Sequence, residues 1–264
     1  MDTVLQPTVS GTFYSNNPDE LNHTIDDLLA GAKKDRKIPK AIISPHAGLI
    51  CSGGVAAQGY ACLLNARDHF DRVILIGPSH RYPFDGVALT SANFYETPLG
   101  DIPINQEKTE ALLQLPQVNI IDQAFLVQEN ALETQLPFLQ KILSRFSVIP
   151  LLYGNVNYLE VAKVLKLLWN GNKTLIVIST DLSHYHDYDT AKAMDEKTKE
   201  AILNLKPDEI GDEQACGRVG IQALLFIAKE KRLIPKLIDI RNSGDTLGQK
   251  EQVVGYASFH FYGD

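Results

Sequence analysis

Thr174-Leu175-Ile176-Val177-Ile178-Ser179-Thr180-Asp181-Leu182-Ser183-His184 runs from six strand-forming residues into a hydroxyl-rich segment that carries a carboxylate and an imidazole. Its first half is apolar on successive residues instead of alternating, the pattern of a strand covered on both faces. Two further segments share the plan. Ala41-Ile42-Ile43-Ser44 leads into Pro45-His46-Ala47-Gly48, and Arg72-Val73-Ile74-Leu75-Ile76 leads into Gly77-Pro78-Ser79-His80. More strands are expected at Gly86–Thr90, Val148–Leu152, Lys236–Arg241 and Val253–Phe261, the last with weaker alternation and placed at or near an edge.

Helical spacing fills the intervals. Leu132, Leu136, Leu139 and Leu143 fall on one face, as do Leu159, Ala162, Leu165 and Trp169, and also Ile221, Leu224, Leu225 and Ala228. Asp187 or Asp189 is placed to cap a polar helix over 191–203. Strands alternating with helices predict an α/β fold, one layered domain over residues 1–264 with a central mixed sheet flanked by helices. No linker, internal repeat or low-complexity tract divides the chain.

At 264 residues and 44% apolar content the chain is long enough to bury a sizeable core. Its 25 basic against 32 acidic residues, without a basic stripe, argue against nucleic acid as a partner. The short basic run Lys33-Lys34-Asp35-Arg36-Lys37 reads as solvated loop. No apolar run approaches the roughly 18 residues of a membrane span, and the opening residues carry no secretory pattern. A cytoplasmic location is expected, with Cys51, Cys62 and Cys216 as free thiols unless one binds metal.

In layered α/β sheets ligands bind beyond the carboxyl ends of strands, where His46, His80 and Asp181 are expected. Pro78 fixes the chain direction ahead of His80. Cys216, followed by Gly217 at a helix start, stands where the positive helix end favours a thiolate. Two imidazoles and a thiol suit zinc, copper or ferrous iron and leave a coordination position open. His184 and His186 are candidate acid and base groups, with Asp181 orienting an imidazole or binding metal.

Glu129 and Glu133, four apart, are expected on one helix face and within reach of the same pocket, helix capping being the alternative. Asn242-Ser243-Gly244-Asp245-Thr246 reads as a turn in which Gly244 permits positive φ. Neither a glycine-rich nucleotide loop nor a Gly-x-Ser-x-Gly elbow occurs, which disfavours nucleotide chemistry and serine hydrolysis.

Taken in order, these motifs resemble the Memo family, also described as AmmeMemoRadiSam system protein B. The matching pieces are Pro45-His46-Ala47-Gly48, Gly77-Pro78-Ser79-His80, Glu129 to Glu133 with Gln135-Leu136-Pro137-Phe138, Ser179 to Tyr185, Cys216-Gly217-Arg218 and Ser243-Gly244-Asp245. Gly11-Thr12-Phe13-Tyr14 and Gly255-Tyr256-Ala257 fit as well, so the likeness covers nearly the whole chain.

The resemblance implies a fold similar to class III extradiol dioxygenases, which use ferrous iron held by two histidines and a glutamate, with a cysteine in the third position here. Carried over, His46, His80 and Cys216 are the metal ligands and Asp181 and His184 their acidic and basic neighbours, His184 matching the dioxygenase catalytic histidine; His184, Asp181 and, by its spacing from Glu129, Glu133 are the catalytic candidates. Iron(II) or copper is the implied cofactor, zinc the further candidate. A small molecule or peptide is the implied pocket ligand, with AMMECR-type and radical SAM proteins as partners.

Three functions follow as alternatives: a metal-dependent redox protein, a non-catalytic peptide-binding or metal-chaperone protein using the same pocket, and a zinc-dependent hydrolase with Asp181 or Glu133 as base. The chain departs from the family pattern at Asn130, where a histidine is common, and at Leu49-Ile50-Cys51, which replaces a Tyr-rich stretch.

Overall fold

The computed structural model describes residues 3–33, 37–169 and 171–263. The middle of the basic run, Lys34-Asp35-Arg36, lies outside them. Twelve strands are present among the described residues: β1 (Val4–Leu5), β2 (Ala41–Ser44), β3 (Arg72–Pro78), β4 (Val87–Leu89), β5 (Phe94–Thr97), β6 (Gly100–Pro103), β7 (Val118–Ile120), β8 (Ser147–Tyr153), β9 (Thr174–Ser179), β10 (His184–His186), β11 (Ile234–Asn242) and β12 (Val253–Tyr262). The helices are α1 (Pro18–Ala30), α2 (Leu49–Tyr60), α3 (Gln106–Leu112), α4 (Gln123–Leu126), α5 (Asn130–Glu133), α6 (Leu136–Ile142), α7 (Tyr158–Leu168), α8 (Tyr188–Leu203), α9 (Arg218–Glu230) and α10 (Ser243–Thr246).

Nine strands form one mixed sheet in the order β10-β12-β2-β9-β3-β8-β4-β7, with β11 also paired to β12; β1, β5 and β6 make a separate small sheet. The centre, β2-β9-β3-β8, is parallel. Alternate residues of those strands feed two cores. Ile42, Val73, Leu75, Leu175 and Val177 pack under α1, α2 and α6, whereas Ile43, Ile74, Ile76, Ile176 and Ile178 pack under α7 and α9. Each such side chain contributes roughly 1.5–3 kcal/mol on burial, which is why a single α/β domain holds together around these few strands.

The α/β architecture and mixed sheet match expectation, and several details differ. Leu132 and Leu136 lie in two short helices, α5 and α6, because the chain turns at Thr134 and Gln135 instead of continuing one helix. Leu159 is exposed on α7. β12, expected at or near an edge, is one strand in from the margin, where it pairs with β2, β10 and β11. The turn expected at Asn242–Thr246 is the short helix α10, closed by a capping box between Asn242 and Asp245. Gly244 is absent from the positive-φ residues; a Cβ there would stand 2.9 Å from the Tyr188 ring, so the glycine serves close packing. No helix among the described residues is long and apolar enough to cross a membrane.

Parallel strands share a carboxyl edge, so Ser44, Pro78, Tyr153 and Ser179 end side by side.

Candidate metal centre

His46 follows β2, His80 follows β3, and Cys216 precedes α9. One donor atom from each lies within 4.8 Å of the other two, in the pattern of a three-ligand ion site. Cys216 Sγ is 3.3 Å from His46 Nε2, and the two imidazole rings meet edge to face at a centroid distance of 5.2 Å. Two donors on one ion, at bond lengths of about 2.0–2.1 Å for imidazole and about 2.3 Å for thiolate, stand roughly 3.1–3.6 Å apart. The His46–Cys216 pair already has that spacing.

Acceptor-only groups fix which nitrogen of His46 faces the sulfur. Gln135 Nε2 donates to the Pro45 carbonyl (2.8 Å) and to Ser179 Oγ (2.9 Å), while its Oε1 accepts from Tyr60 OH (2.8 Å). Ser179 spends its only proton on the Ala131 carbonyl. The 3.0 Å contact between Ser179 Oγ and His46 Nδ1 therefore has the ring as donor, leaving the Nε2 lone pair towards Cys216. All of these groups are buried.

A carboxylate does the same for His80. Glu129 Oε1 sits 2.8 Å from His80 Nδ1, and Oε2 accepts the His80 backbone N–H. Glu129 is also the N-cap of α5, accepting from Ala131 N at 3.0 Å. Glu129 thus caps α5 and also reaches the pocket at His80, the two placements weighed as alternatives from its sequence.

Gly77 lets α5 come this close: a Cβ there would meet Ala131 Cβ at 3.0 Å and Leu132 Cδ2 at 3.2 Å. Gly217 plays the matching part for the thiol. A Cβ on it would fall 2.3 Å from Thr180 Cβ and 2.9 Å from the Ser179 carbonyl, so only glycine lets the start of α9 press against the end of β9.

The charges follow from these contacts. Burial pushes the Cys216 thiol up, but His46 and His80 bring it down to about 6. Burial opposes charge on His80, yet its contacts with Cys216 and Glu129 raise it to about 10. Glu129, despite its burial, is held below the usual carboxylate range by His80. Without metal, a thiolate and an imidazolium face each other, and an ion entering there competes with the His80 proton. The His80 side chain is 31% exposed, which makes it the solvent side of the cluster.

Asp181 and His184 stand beside the three donors. Asp181 Oδ1 accepts from the backbone of His46 (2.8 Å) and Ala47 (3.3 Å), and Oδ2 lies 3.9 Å from His46 Nε2. Its own N–H reaches Cys216 Sγ at 3.3 Å. Burial raises Asp181 to about 6 and lowers His184, each partly offset by the other's charge. Burial thus favours the neutral form of both groups, while each one's charge favours the charged form of the other. His184 lies in the short strand β10 instead of a turn, and His186 at its end faces the charge of Asp195.

Glu133, grouped with the pocket by its spacing from Glu129, makes its hydrogen bonds elsewhere. Its oxygens accept from Thr8 N (2.7 Å), Thr8 Oγ1 (3.0 Å), Val9 N (3.0 Å) and Tyr14 OH. A fully buried carboxylate with four donors is committed to holding residues 8–14 against α5, which leaves no oxygen free to act as a base.

Asn130 donates from Nδ2 to the His46 carbonyl at 2.9 Å. Cys51 is half-buried and raised by that burial, with Tyr256 as hydrogen-bond partner and the Asp181 charge nearby; a second thiol thus lines the wall. Gln135 and Ser179 stand in motifs quoted from the sequence, yet nothing in the sequence indicates their bonding roles: the one signal is a polar side chain beside an apolar run.

This is an α/β protein with an open His/His/Cys donor cluster at the carboxyl edge of a parallel core. The chain belongs to the Memo family: the family model described as Memo-like protein matches residues 6–260. It is 35% identical over 273 residues to a MEMO1 family protein of Aquifex aeolicus, covering 98% of this chain and 99% of that one. A MEMO1 family protein of Thermotoga neapolitana is 32% identical over 277 residues, at 97% and 98% coverage. One from Methanosarcina barkeri is 33% identical over 267 residues, at 96% and 98% coverage.

Proposed function

We propose that this protein binds one transition-metal ion, iron(II) or copper, through His46 Nε2, His80 Nε2 and Cys216 Sγ, and uses it on a small molecule. The observation that carries the reading is the pair of fixed tautomers. Two imidazoles, each with Nδ1–H committed to a neighbour, turn their Nε2 lone pairs towards one low-pKa thiol. A bound iron or copper supplies one-electron chemistry and leaves a coordination position for the small molecule. The chain's own residues do the rest. His80 keeps the approach open to solvent, Asp181 fixes the backbone that carries His46, and Asp181 with His184 takes up and returns a proton.

Elemental analysis of protein purified without chelator or nickel resin tests this. A single equivalent of iron or copper in the native chain, lost in His46→Ala and Cys216→Ser, is expected. Metal undiminished in both variants contradicts the site, and zinc as the sole bound metal favours the hydrolytic alternative. Pocket variants that lose metal yet keep every binding partner would favour a non-catalytic role.

A further inference from the structure

Four of the five most exposed large apolar side chains among the described residues are carried on segments that adjoin the candidate centre in sequence or packing: Ile50 at 82%, Tyr185 at 71%, Leu126 at 56% and Leu247 at 51%. Ile50 is in the first turn of α2, which begins just after His46. Leu126 ends α4, three residues before Glu129. Leu247 caps α10, which packs on α2. Tyr185 follows His184, and the two rings lie 5.8 Å apart. Scattered exposed apolar residues are ordinary, whereas a set gathered at a polar donor cluster marks a binding surface.

Tyr185 is the most telling member. Its φ is +61°, in the left-handed region that glycine or asparagine fills at less cost, and it sits at the β10 irregularity between His184 and His186. At 71% exposure its ring gains little from burial within the chain. A residue that strains the backbone while offering its ring to solvent is suited to contacts outside the chain. Ile50 repeats the pattern: a β-branched apolar side chain on an exposed helical turn stabilises neither helix nor core.

We infer that the site takes an amphipathic small molecule, with a polar, metal-directed head at His80 and Cys216 and an apolar arm lying across Ile50 and Tyr185. The inference rests on the metal reading above for the head and on exposure and backbone geometry for the arm. Ile50 and Tyr185 are thus specificity-determining residues. Position 50 falls in the stretch Leu49-Ile50-Cys51, so the preference belongs to this chain's own wall.

The test uses full-length protein loaded with redox-silent zinc and two probes, acetohydroxamate and octanohydroxamate, with affinities from calorimetry. The longer chain should bind about tenfold tighter or better. The ratio should collapse towards unity in Ile50→Ser combined with Tyr185→Gly, the glycine being at home at positive φ so that lost affinity is not lost fold. Equal affinities in the native chain, or a ratio that survives both substitutions, overturn the inference. A second arm needs no metal: octanoate, and not acetate, should shift the Ile50 methyl and Tyr185 ring resonances of metal-free protein, and no shift with octanoate counts against the arm site. If neither hydroxamate binds while octanoate still shifts those signals, the metal reading fails and the apolar site stands.

Discussion

Substituting Gly217→Ala should separate the fold from the site. The added Cβ would stand 2.3 Å from Thr180 Cβ, 2.5 Å from Thr180 Oγ1 and 2.9 Å from the Ser179 carbonyl. Ordinary carbon contacts lie at roughly 3.5–4.0 Å, so the chain must open by about 1 Å or more against a buried strand end and backbone that have nowhere to yield. The 2.8 Å bond from Gly217 N to Thr180 Oγ1 lies in the same gap and is lost with it. Overpacking of this kind costs about 1–3 kcal/mol. The shift carries Cys216 away from His46, and metal affinity should fall by about 10–100-fold, the range seen when groups supporting a ligand are disturbed. Thermal unfolding gives the first quantity and chelator competition the second. Gly248→Ala, at a positive-φ glycine with nothing within 4 Å of its Cβ, controls for a strained but unclashed site: it should lower stability alone. Native metal affinity and melting temperature in Gly217→Ala would refute the reasoning.

In metal-free protein, alkylation of Cys216 by iodoacetamide should rise with pH through a midpoint near 6, because the thiolate forms above its pKa and His46 and His80 hold that pKa down against burial. Mass spectrometry of the labelled peptide checks it, and His80→Ala should move the midpoint upward. Glu129→Gln should remove the carboxylate that helps raise His80, so the His80 pKa falls from about 10 and metal affinity weakens by about 10–100-fold, measurable by NMR titration and chelator competition. The same pair sets a stability window in metal-free protein. The Glu129 contribution is present above its unfolded pKa and is lost as pH falls through its depressed folded value. The His80 contribution is full below its unfolded pKa and is lost as pH rises through about 10. Gln135→Leu should destabilise the fold by about 2–4 kcal/mol in denaturant unfolding, since it leaves Tyr60 OH and the Pro45 carbonyl buried without their partner.

The parts of the fold that were legible in sequence are those where one signal dominates. β2, β3, β8 and β9 are buried on successive residues, the pattern that central parallel strands need. β1, β5, β6, β7 and β10 were not legible because each is short and, unlike the equally short β2 and β4, none is a run of buried residues. His46, His80 and Cys216 were legible because the first two follow strands at the edge where α/β sheets bind ligands and the third stands ahead of a helix start. The groups that fix their tautomers were not. Ser179 reaches His46 across 133 residues of sequence, and Gln135 reaches the Pro45 carbonyl across 90 and Ser179 across 44, through contacts that only the packed chain defines. Glu133 shows the reverse failure: helical spacing from Glu129 suggested the pocket, but the N-terminal segment, 125 residues away in sequence, supplies its donors.

Anomalous scattering from crystals of metal-loaded protein tests the central claim most directly. One peak bonded at once to Nε2 of His46, Nε2 of His80 and the sulfur of Cys216 is the expected result. A peak elsewhere, or one attached through either Nδ1, would contradict the account.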